Sequence, residues 1–466
     1  MKITERAFPA LRAIWDGLSP ARLLVAAAVF HLSAAAAVFC LGRYELLPGT
    51  FDRDGIAVSF APDGLKYHDG AAELSEMLAR GDLSGWVAAR QPFHVRPYSV
   101  CFLLFGPLLG RNVVGAEPLN VAYYLGILIL VFEVGREAFG RRAGLLAAAA
   151  VALWPSLLIH TTQLLRDQLF LIGMLTFVLI TQRWLTRTYS WPGALLRGAA
   201  GGLAALLIWL ARDNLAAVML AAALLGAGLL VAGQFLEGRA RPAALAGMAL
   251  MLALTVLVMK TMPKYKEPAD RTYPADAPLK ESLSETPWGR AAAYVATARG
   301  RFIRIYPDAG SNIDADVQFR GLADIIRYSP RAAAVGFFAP FPDMWFTPGK
   351  KVGSAGRLLV GAESLLMYLV EALALCGLWR GRRSLSVWLL FLLSATGIFA
   401  LGLVVVNVGA LYRIRYLFLI MLIVLAAGGA ARAPGRARPE GGGEGFDEGV
   451  QGRGGRREAR LGPRQG

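Results

Sequence analysis

The sequence predicts an all-α membrane protein, a polytopic bundle of about ten transmembrane helices. Three observations lead to this fold class. The 466 residues are 56% hydrophobic. Apolar runs of about 17 to 25 residues with almost no charge recur, which is the length that a helix needs to cross a bilayer. These runs lack the alternation of apolar and polar residues typical of a membrane barrel, so the spans are expected to be helical.

The N-terminal part of the chain is interpreted as one transmembrane module, 22–262. Residues 1–21 are mixed in charge and do not resemble a cleaved signal, so the first apolar run, 22–42, is expected to remain as a span. A long loop, 43–117, follows it. The next spans are expected near 118–137, 143–160, 168–185, 195–211, 214–236 and 243–262.

A second long loop, 263–357, precedes the C-terminal helices, 358–431, with spans expected near 358–379, 385–406 and 416–431. The tail, 432–466, is rich in Gly, Arg and Glu and has too few apolar residues to fold, which predicts disorder. Within the loops, Ser99–Gly110 and Arg331–Phe341 are apolar for only about a dozen residues. We expect each to form a helix that lies in the membrane interface.

The net charge of +16 indicates topology. Arginines cluster in alternate short loops, and by the positive-inside rule these loops and both termini are cytoplasmic, as in a bacterial-type inner membrane. Both long loops, and the turns that hold Asp167, Arg212 and Arg413, are then extracytoplasmic. No basic face lies on a soluble domain, so nucleic acid is not an expected partner. The loop arginines are Arg136, Arg141, Arg142, Arg183, Arg187, Arg197, Arg239, Arg241, Arg380, Arg382 and Arg383.

Several kinds of chemistry have no local support in the sequence. The three cysteines lie in apolar stretches, so no disulfide framework or CxxC metal site is readable. His68, His94 and Asp69 lack the spacing of a zinc site, so no resident metal is expected, although a divalent cation stays open as a cofactor. No GxGxxG, P-loop, GxSxG or HExxH pattern occurs, and the two halves show no matching broken helices of the kind that mark many transporters.

Asp69 is the first candidate catalytic residue. It follows Tyr67 and His68 in the first loop, and Glu73 lies one helical turn further on, on the same face if the segment is helical. These neighbours are possible auxiliary groups. The alternative is that Asp69 is a solvated loop carboxylate or a helix N-cap.

Asp167 is the second candidate, because a carboxylate in a turn beside hydrocarbon needs a partner or water. Since the topology puts Asp167 and Asp69 on one side of the membrane, the two acids are expected to line one cavity. The alternative is an ion pair with the adjacent Arg166, or an anchor for the turn at the lipid headgroups.

Arg212, Arg413 and Arg415 are cations on the extracytoplasmic face, where the topology rule does not favour them. The guanidinium fork matches phosphate oxygens, so these arginines are candidates for binding a lipid phosphate, with Arg413 and Arg415 as the best pair. Snorkelling to ordinary headgroups is the alternative for each of them.

At these residues the chain resembles the polytopic GT-C glycosyltransferases, especially family 39, which includes protein O-mannosyltransferases and aminoarabinose transferases. The similarity covers about the first 215 residues, and its motifs are degenerate. An acidic residue in a large first external loop is followed by an apolar helix that ends in Gly110. The shorter motifs are Gln91-Pro92, Arg96-Pro97-Tyr98, Phe139-Gly140-Arg141-Arg142-Ala143-Gly144 and Leu165-Arg166-Asp167.

The resemblance implies a GT-C type fold and a glycosyltransferase that moves a sugar from a polyprenyl-phosphate donor, with inversion, on the periplasmic side. The acceptor would be a hydroxyl of a lipid, glycan or protein. Asp69 would match the first-loop acid and serve as general base, and Asp167 would match the acid at the third external turn. Many relatives carry Asp-Glu where this chain has Asp69-Gly70, so the second acid of that pair is missing.

Two other functions stay open. A polysaccharide polymerase or ligase acting on lipid-linked glycans would use the arginines but would need no carboxylate base at Asp69. A non-enzymatic transporter of lipid-linked sugars would need charges along a path through the spans, yet apart from Glu133, Glu363 and Glu371 the spans are nearly free of charge.

Overall fold

The all-α fold class is confirmed. The computed structural model describes residues 19–58, 60–238, 240–263, 286–305, 307, 309–346 and 353–431, and in these residues the chain is helical, with two isolated β-bridges and no named strand. Most of the N-terminal segment, the C-terminal tail and part of the second long loop, including Asp308, lie outside the described residues, so the predictions made for them are not tested.

The described helices have the following bounds in chain order. In the N-terminal half they are α1 Pro20–Arg43, α2 Asp63–Ala79, α3 Leu83–Ala88, α4 Val95–Leu109, α5 Val113–Phe139, α6 Arg141–Ala152, α7 Pro155–Thr161, α8 Asp167–Thr186 and α9 Trp191–Arg212. They continue as α10 Ala216–Glu237, α11 Pro242–Thr261, α12 Pro287–Ile305, α13 Leu322–Phe338, α14 Gly353–Gly381, α15 Leu385–Val404, α16 Val408–Ile414 and α17 Tyr416–Ala430.

Eight of the described helices are long and apolar enough to cross a membrane, or up to ten spans if each of two bent helix pairs counts as one. The pairs are α6 with α7, bent by 69°, and α16 with α17, bent by 56°. The estimate of about ten spans agrees with this range. The bend between α6 and α7 differs from the prediction, in which 143–160 was one continuous span.

Pro155 gives a local reason for the first bend. Proline has no N–H to continue the ladder of α6 and disfavours helical backbone at the residue before it, and Trp154 is accordingly extended. The second bend lies at Arg415. Beyond it, α17 has about 15 residues, or roughly 22 Å of helix, which is shorter than a hydrocarbon core of about 30 Å. Because α17 is apolar on all sides and buried from Tyr416 to Gly429, it is a core helix of the bundle.

Glycines let two pairs of helices approach closely. A Cβ on Gly377 of α14 would collide with the carbonyl oxygen of Leu425 on α17, and a Cβ on Gly402 of α15 would collide with that of Ala332 on α13. Small residues at helix interfaces are the usual means of packing helices in lipid, where apolar side chains gain little from leaving the solvent.

The first long loop folds into a layer at one end of the bundle. Its helices α2, α3 and α4 pack around buried side chains that include Ile56, Leu74, Val95 and Phe102, and α4 also packs on α5. This first-loop layer fixes the rotation of α2, and therefore decides which residues of α2 face the bundle.

A buried polar contact joins three helices inside the bundle. His31 of α1 lies with Nδ1 2.5 Å from Glu117 of α5 and Nε2 3.1 Å from the hydroxyl of Thr161 of α7. His31 is thus a hydrogen-bonded packing residue of the bundle.

The glycine contacts predict a position-dependent effect of bulk. Gly377→Leu should lower the midpoint of thermal unfolding in detergent, because the added side chain meets backbone that cannot move aside, an overpacking cost of about 1–3 kcal/mol or more. Gly228→Leu is the matched control, since a Cβ there meets no atom within 4 Å. Equal midpoints for the two variants would contradict this account of the α14–α17 contact.

Candidate functional site

Asp167 and Arg212 form a buried ion pair at one end of the bundle. Asp167 is the first residue of α8 and Arg212 the last of α9, so the antiparallel helices bring the two side chains together. Nη2 of Arg212 donates to Oδ1 of Asp167, and Arg212 is 3% exposed. The sequence suggested Arg166 as the partner of Asp167, but Arg166 makes no ion pair or side-chain hydrogen bond with any residue that the structure describes.

Arg413 extends this pair to a second aspartate. Its Nη2 donates to Oδ2 of Asp63 over 2.9 Å, and its Nε lies 3.6 Å from Oδ2 of Asp167. Burial disfavours ionisation of Asp63, but Arg413, with smaller contributions from Arg166 and Arg212, lowers the pKa of this carboxyl below its ordinary value. We call these five residues the ion cluster.

The ion cluster carries an excess of positive charge. Three guanidiniums face two carboxylates, and Asp63 is ionised near neutral pH, so the formal balance is one positive charge. A cavity of about 10 Å³, roughly the space of one water molecule, lies against it, lined by Asp167, Arg212 and Arg413. Ligand pockets are usually about 300–1,000 Å³, so side chains around this cavity would have to shift to admit a ligand. Its other lining residues are Phe170, Leu171, Leu215, Ile414, Tyr416 and Leu417.

Glu363 of α14 joins the two bent helix pairs beside the ion cluster. One carboxylate oxygen accepts from the backbone N–H and the hydroxyl of Ser156, at 3.0 and 2.7 Å, and the other accepts from the hydroxyl of Tyr412. His160 of α7 places Nδ1 3.0 Å from the hydroxyl of Tyr416. These contacts hold α7, α14 and α16 at fixed positions around the cavity.

Asp69, the base expected from the sequence, lies outside the ion cluster. Its side chain is 71% exposed and its carboxylate is 3.3 Å from Nδ1 of His68, whose Nε2 contacts the carbonyl of Arg111. Glu73 is also exposed and accepts from Gln91 at 3.4 Å. The structure therefore does not bring Asp69 and Asp167 to one cavity, and it is Asp63 that approaches Asp167.

The rotation of α2 explains this difference. At about 3.6 residues per turn, Tyr67 lies one turn beyond Asp63 on the same face, whereas Asp69 is about one and two-thirds turns away and points elsewhere. Tyr67 is accordingly buried. Asp63 was not among the residues predicted from the sequence. The sequence did contain a signal for it. A helix often starts next to a proline, and a helix that starts after Pro62 places Asp63 and Tyr67 on one face at i,i+4.

Arg415 does not act beside Arg413 in the structure. It is buried, and its Nη1 donates to the carbonyl oxygens of Gly336 and Ala339, at 2.9 and 3.0 Å, at the C-terminal end of α13. It does not line the cavity. In this arrangement Arg415 satisfies backbone groups at a helix end rather than presenting a free guanidinium to a phosphate.

Tyr67 and His94 pack edge to face beside the ion cluster, with ring centres 4.3 Å apart and ring planes at 87°. His94 is 1% exposed, and neither ring nitrogen has a hydrogen-bond partner among the described residues. Burial, and then the charges of Arg166 and Arg212, lower the pKa of His94 to about 3. The ring is therefore neutral at any physiological pH.

No three His, Cys, Asp or Glu side chains lie together as a metal site within the described part of the chain. Comparison of the chain with protein-family models, with curated proteins and with solved structures finds no match in any of the three. The geometry and charge of the ion cluster are therefore the basis for inferring a function.

The buried ion pair predicts a large loss of stability for Asp167→Asn. Arg212 would keep its charge without its partner, and breaking a buried pair in this way costs about 3–5 kcal/mol. Replacing both residues, as Asp167→Leu with Arg212→Met, should recover most of the loss. Thermal unfolding in detergent measures this, with Asp69→Asn as the exposed control. An Asp167→Asn protein as stable as the control would be inconsistent with the pair.

The lowered pKa of His94 predicts that the free energy of unfolding depends on pH. Between pH 6.5 and about pH 3 the unfolded chain binds a proton at His94 and the folded chain does not, so stability falls as the pH is lowered through this range. Relative to His94→Leu, the wild type should lose about 2 kcal/mol between pH 7 and pH 5. Denaturation curves at the two pH values measure the difference, and parallel losses in both proteins would contradict the buried neutral ring.

Proposed function

We propose that the protein is a membrane glycosyltransferase that binds a polyprenyl-phosphate sugar at the ion cluster and transfers the sugar to a hydroxyl of a lipid, glycan or protein acceptor. The observation that supports this most directly is the excess positive charge of the cluster, with Arg166 unpaired among the described residues. An unpaired guanidinium beside a buried ion pair is suited to an anionic ligand.

The charge balance favours a phosphodiester. A polyprenyl-phosphate sugar carries one negative charge, which would neutralise the single excess charge of the ion cluster. The cavity also has an apolar wall that includes Phe170, Leu171 and Leu417, beside which the first prenyl units would lie. Phosphate on the guanidiniums and prenyl chain on the apolar side chains is the arrangement expected of a lipid-linked donor.

The proposed sidedness of the cluster is based on helix direction and on the charges of the loops. α8 begins at Asp167 and α9 ends at Arg212, whereas their other ends carry Arg183 and Arg197 and are joined by the loop that holds Arg187. Since such loops are usually cytoplasmic, the ion cluster is proposed to face the extracytoplasmic side of a bacterial-type inner membrane. Lipid-linked donors that have been flipped across the membrane present their phosphate there.

The proposed reaction breaks the bond between the anomeric carbon and the phosphate oxygen while the acceptor oxygen bonds to that carbon from the opposite side. The acceptor proton passes to a carboxylate, and the phosphate leaves with an added negative charge that Arg413 and Arg166 stabilise. We propose Asp63 as the carboxylate, because its side chain is 35% exposed against 12% for Asp167, so it is the carboxylate of the cluster that an acceptor can reach. Asp69 remains the alternative base if α2 rotates when the acceptor binds.

Substitutions in α2 test the assignment of the base. Asp63→Asn should lower kcat for sugar transfer by about 10²–10⁴-fold, the usual contribution of a general base, with KM for the lipid donor changed much less. Asp69→Asn is the matched variant, one carboxylate to one amide on the same helix. Transfer from polyprenyl-phosphate hexoses to a hydroxyl acceptor, with purified protein in lipid nanodiscs, is the measurement.

The result separates the candidate functions. Loss of turnover in Asp69→Asn alone would move the base back to Asp69. Full activity in both variants, with none in Arg413→Gln, would favour the polymerase or ligase, which needs no carboxylate base. Saturable movement of the intact donor across vesicles without any transfer would favour a transporter, a function for which the two bent spans are the supporting observation.

A further inference from the structure

His94 is a buried polar side chain that the bundle does not satisfy. Each nitrogen of a buried imidazole normally finds a partner, and leaving a buried donor or acceptor unpaired costs about 1–3 kcal/mol. The contrast is clear with His31, which is buried, and His160, which is half-buried. They place ring nitrogens within hydrogen-bond distance of Glu117, Thr161, Ser156 or Tyr416.

The surroundings of His94 indicate what kind of group is missing. Its ring packs on Tyr67, which shares the inward face of α2 with Asp63, and the charges that act on it are those of the ion cluster, first Arg166 and Arg212 and then Asp167 and Asp63. A neutral imidazole presents one donor and one acceptor. It therefore matches a hydroxyl group, which also has both, better than it matches a phosphate.

We propose that Tyr67 and His94 form a sugar subsite next to the ion cluster, in which the two ring nitrogens of His94 bind hydroxyls of the sugar whose phosphate is held by Arg166. This rests on the proposed function. It adds that the protein distinguishes the lipid-linked sugar from the bare lipid phosphate through a neutral side chain. His94 does not line the present cavity, so neighbouring side chains must shift as the sugar enters.

Replacing His94 has a different effect on stability if the side chain serves a ligand than if it serves the fold. Removing a side chain that the fold needs lowers the thermal midpoint. Removing one that the fold leaves unpaired keeps the midpoint or raises it, because the desolvation penalty disappears. His94→Leu should therefore unfold at the same temperature as the wild type at pH 7, or at a higher one.

The test measures binding of two probes, polyprenyl phosphate and polyprenyl-phosphate mannose, to the full chain in nanodiscs. In the wild type the sugar should tighten binding at least about tenfold, which is the effect of one or two added hydrogen bonds. His94→Leu should lose this increment and still bind polyprenyl phosphate as the wild type does. His94→Asn, which keeps a donor and an acceptor, should recover part of it, and Arg166→Gln should weaken both probes alike.

The outcomes are distinct. An intact sugar increment in His94→Leu, or a lower thermal midpoint together with weaker binding of both probes, would overturn the subsite and leave the proposed function standing. If polyprenyl phosphate binds the wild type no better than Arg166→Gln, the phosphate site itself is wrong and the proposed function fails with it. A repeat with the glucose-linked lipid tells whether the increment depends on hydroxyl configuration.

Discussion

The ion pair between Asp167 and Arg212 is the constraint to which the rest of this end of the bundle is fitted. A carboxylate beside hydrocarbon is tolerated only when it is paired, so α8 and α9 must end at the same level and in contact. The second carboxylate oxygen of Asp167 faces Arg413, and Arg413 in turn donates a hydrogen bond to Asp63. Four separate stretches of chain therefore converge because a small set of charges must be neutralised together.

Irregular helices occur where this convergence takes place. α7 and α16 are the short helices of the two bent pairs, and each lies at an angle to the longer helix of its pair. A break inside a membrane exposes backbone groups, and Glu363 satisfies one of them at Ser156 while it also binds Tyr412. The departures from regular helix and the polar side chains are thus parts of one arrangement, as expected where a fold accommodates a site.

The sequence was sufficient for the properties that depend on length and hydrophobicity. The helical class and the number of spans follow from apolar runs and needed no knowledge of contacts. The choice between Asp63 and Asp69 did need knowledge of contacts. Which of the two faces the bundle depends on where α2 begins and on how the first-loop layer orients this helix. Arg413 and Arg415 are two residues apart and look alike in the sequence, but about 200° of helical rotation sends one to the ion cluster and the other to the carbonyls of α13.

The burial of α17 has a consequence for the order in which the protein inserts and folds in the membrane. This helix is touched by α5, α6, α14 and α15, all of which are synthesised before it. A helix this short does not match the thickness of a normal bilayer. Within the bundle it fills the space between these four helices, which would otherwise stay open. Arg413 precedes it by only three residues, so the ion cluster receives its last guanidinium just before α17 is made.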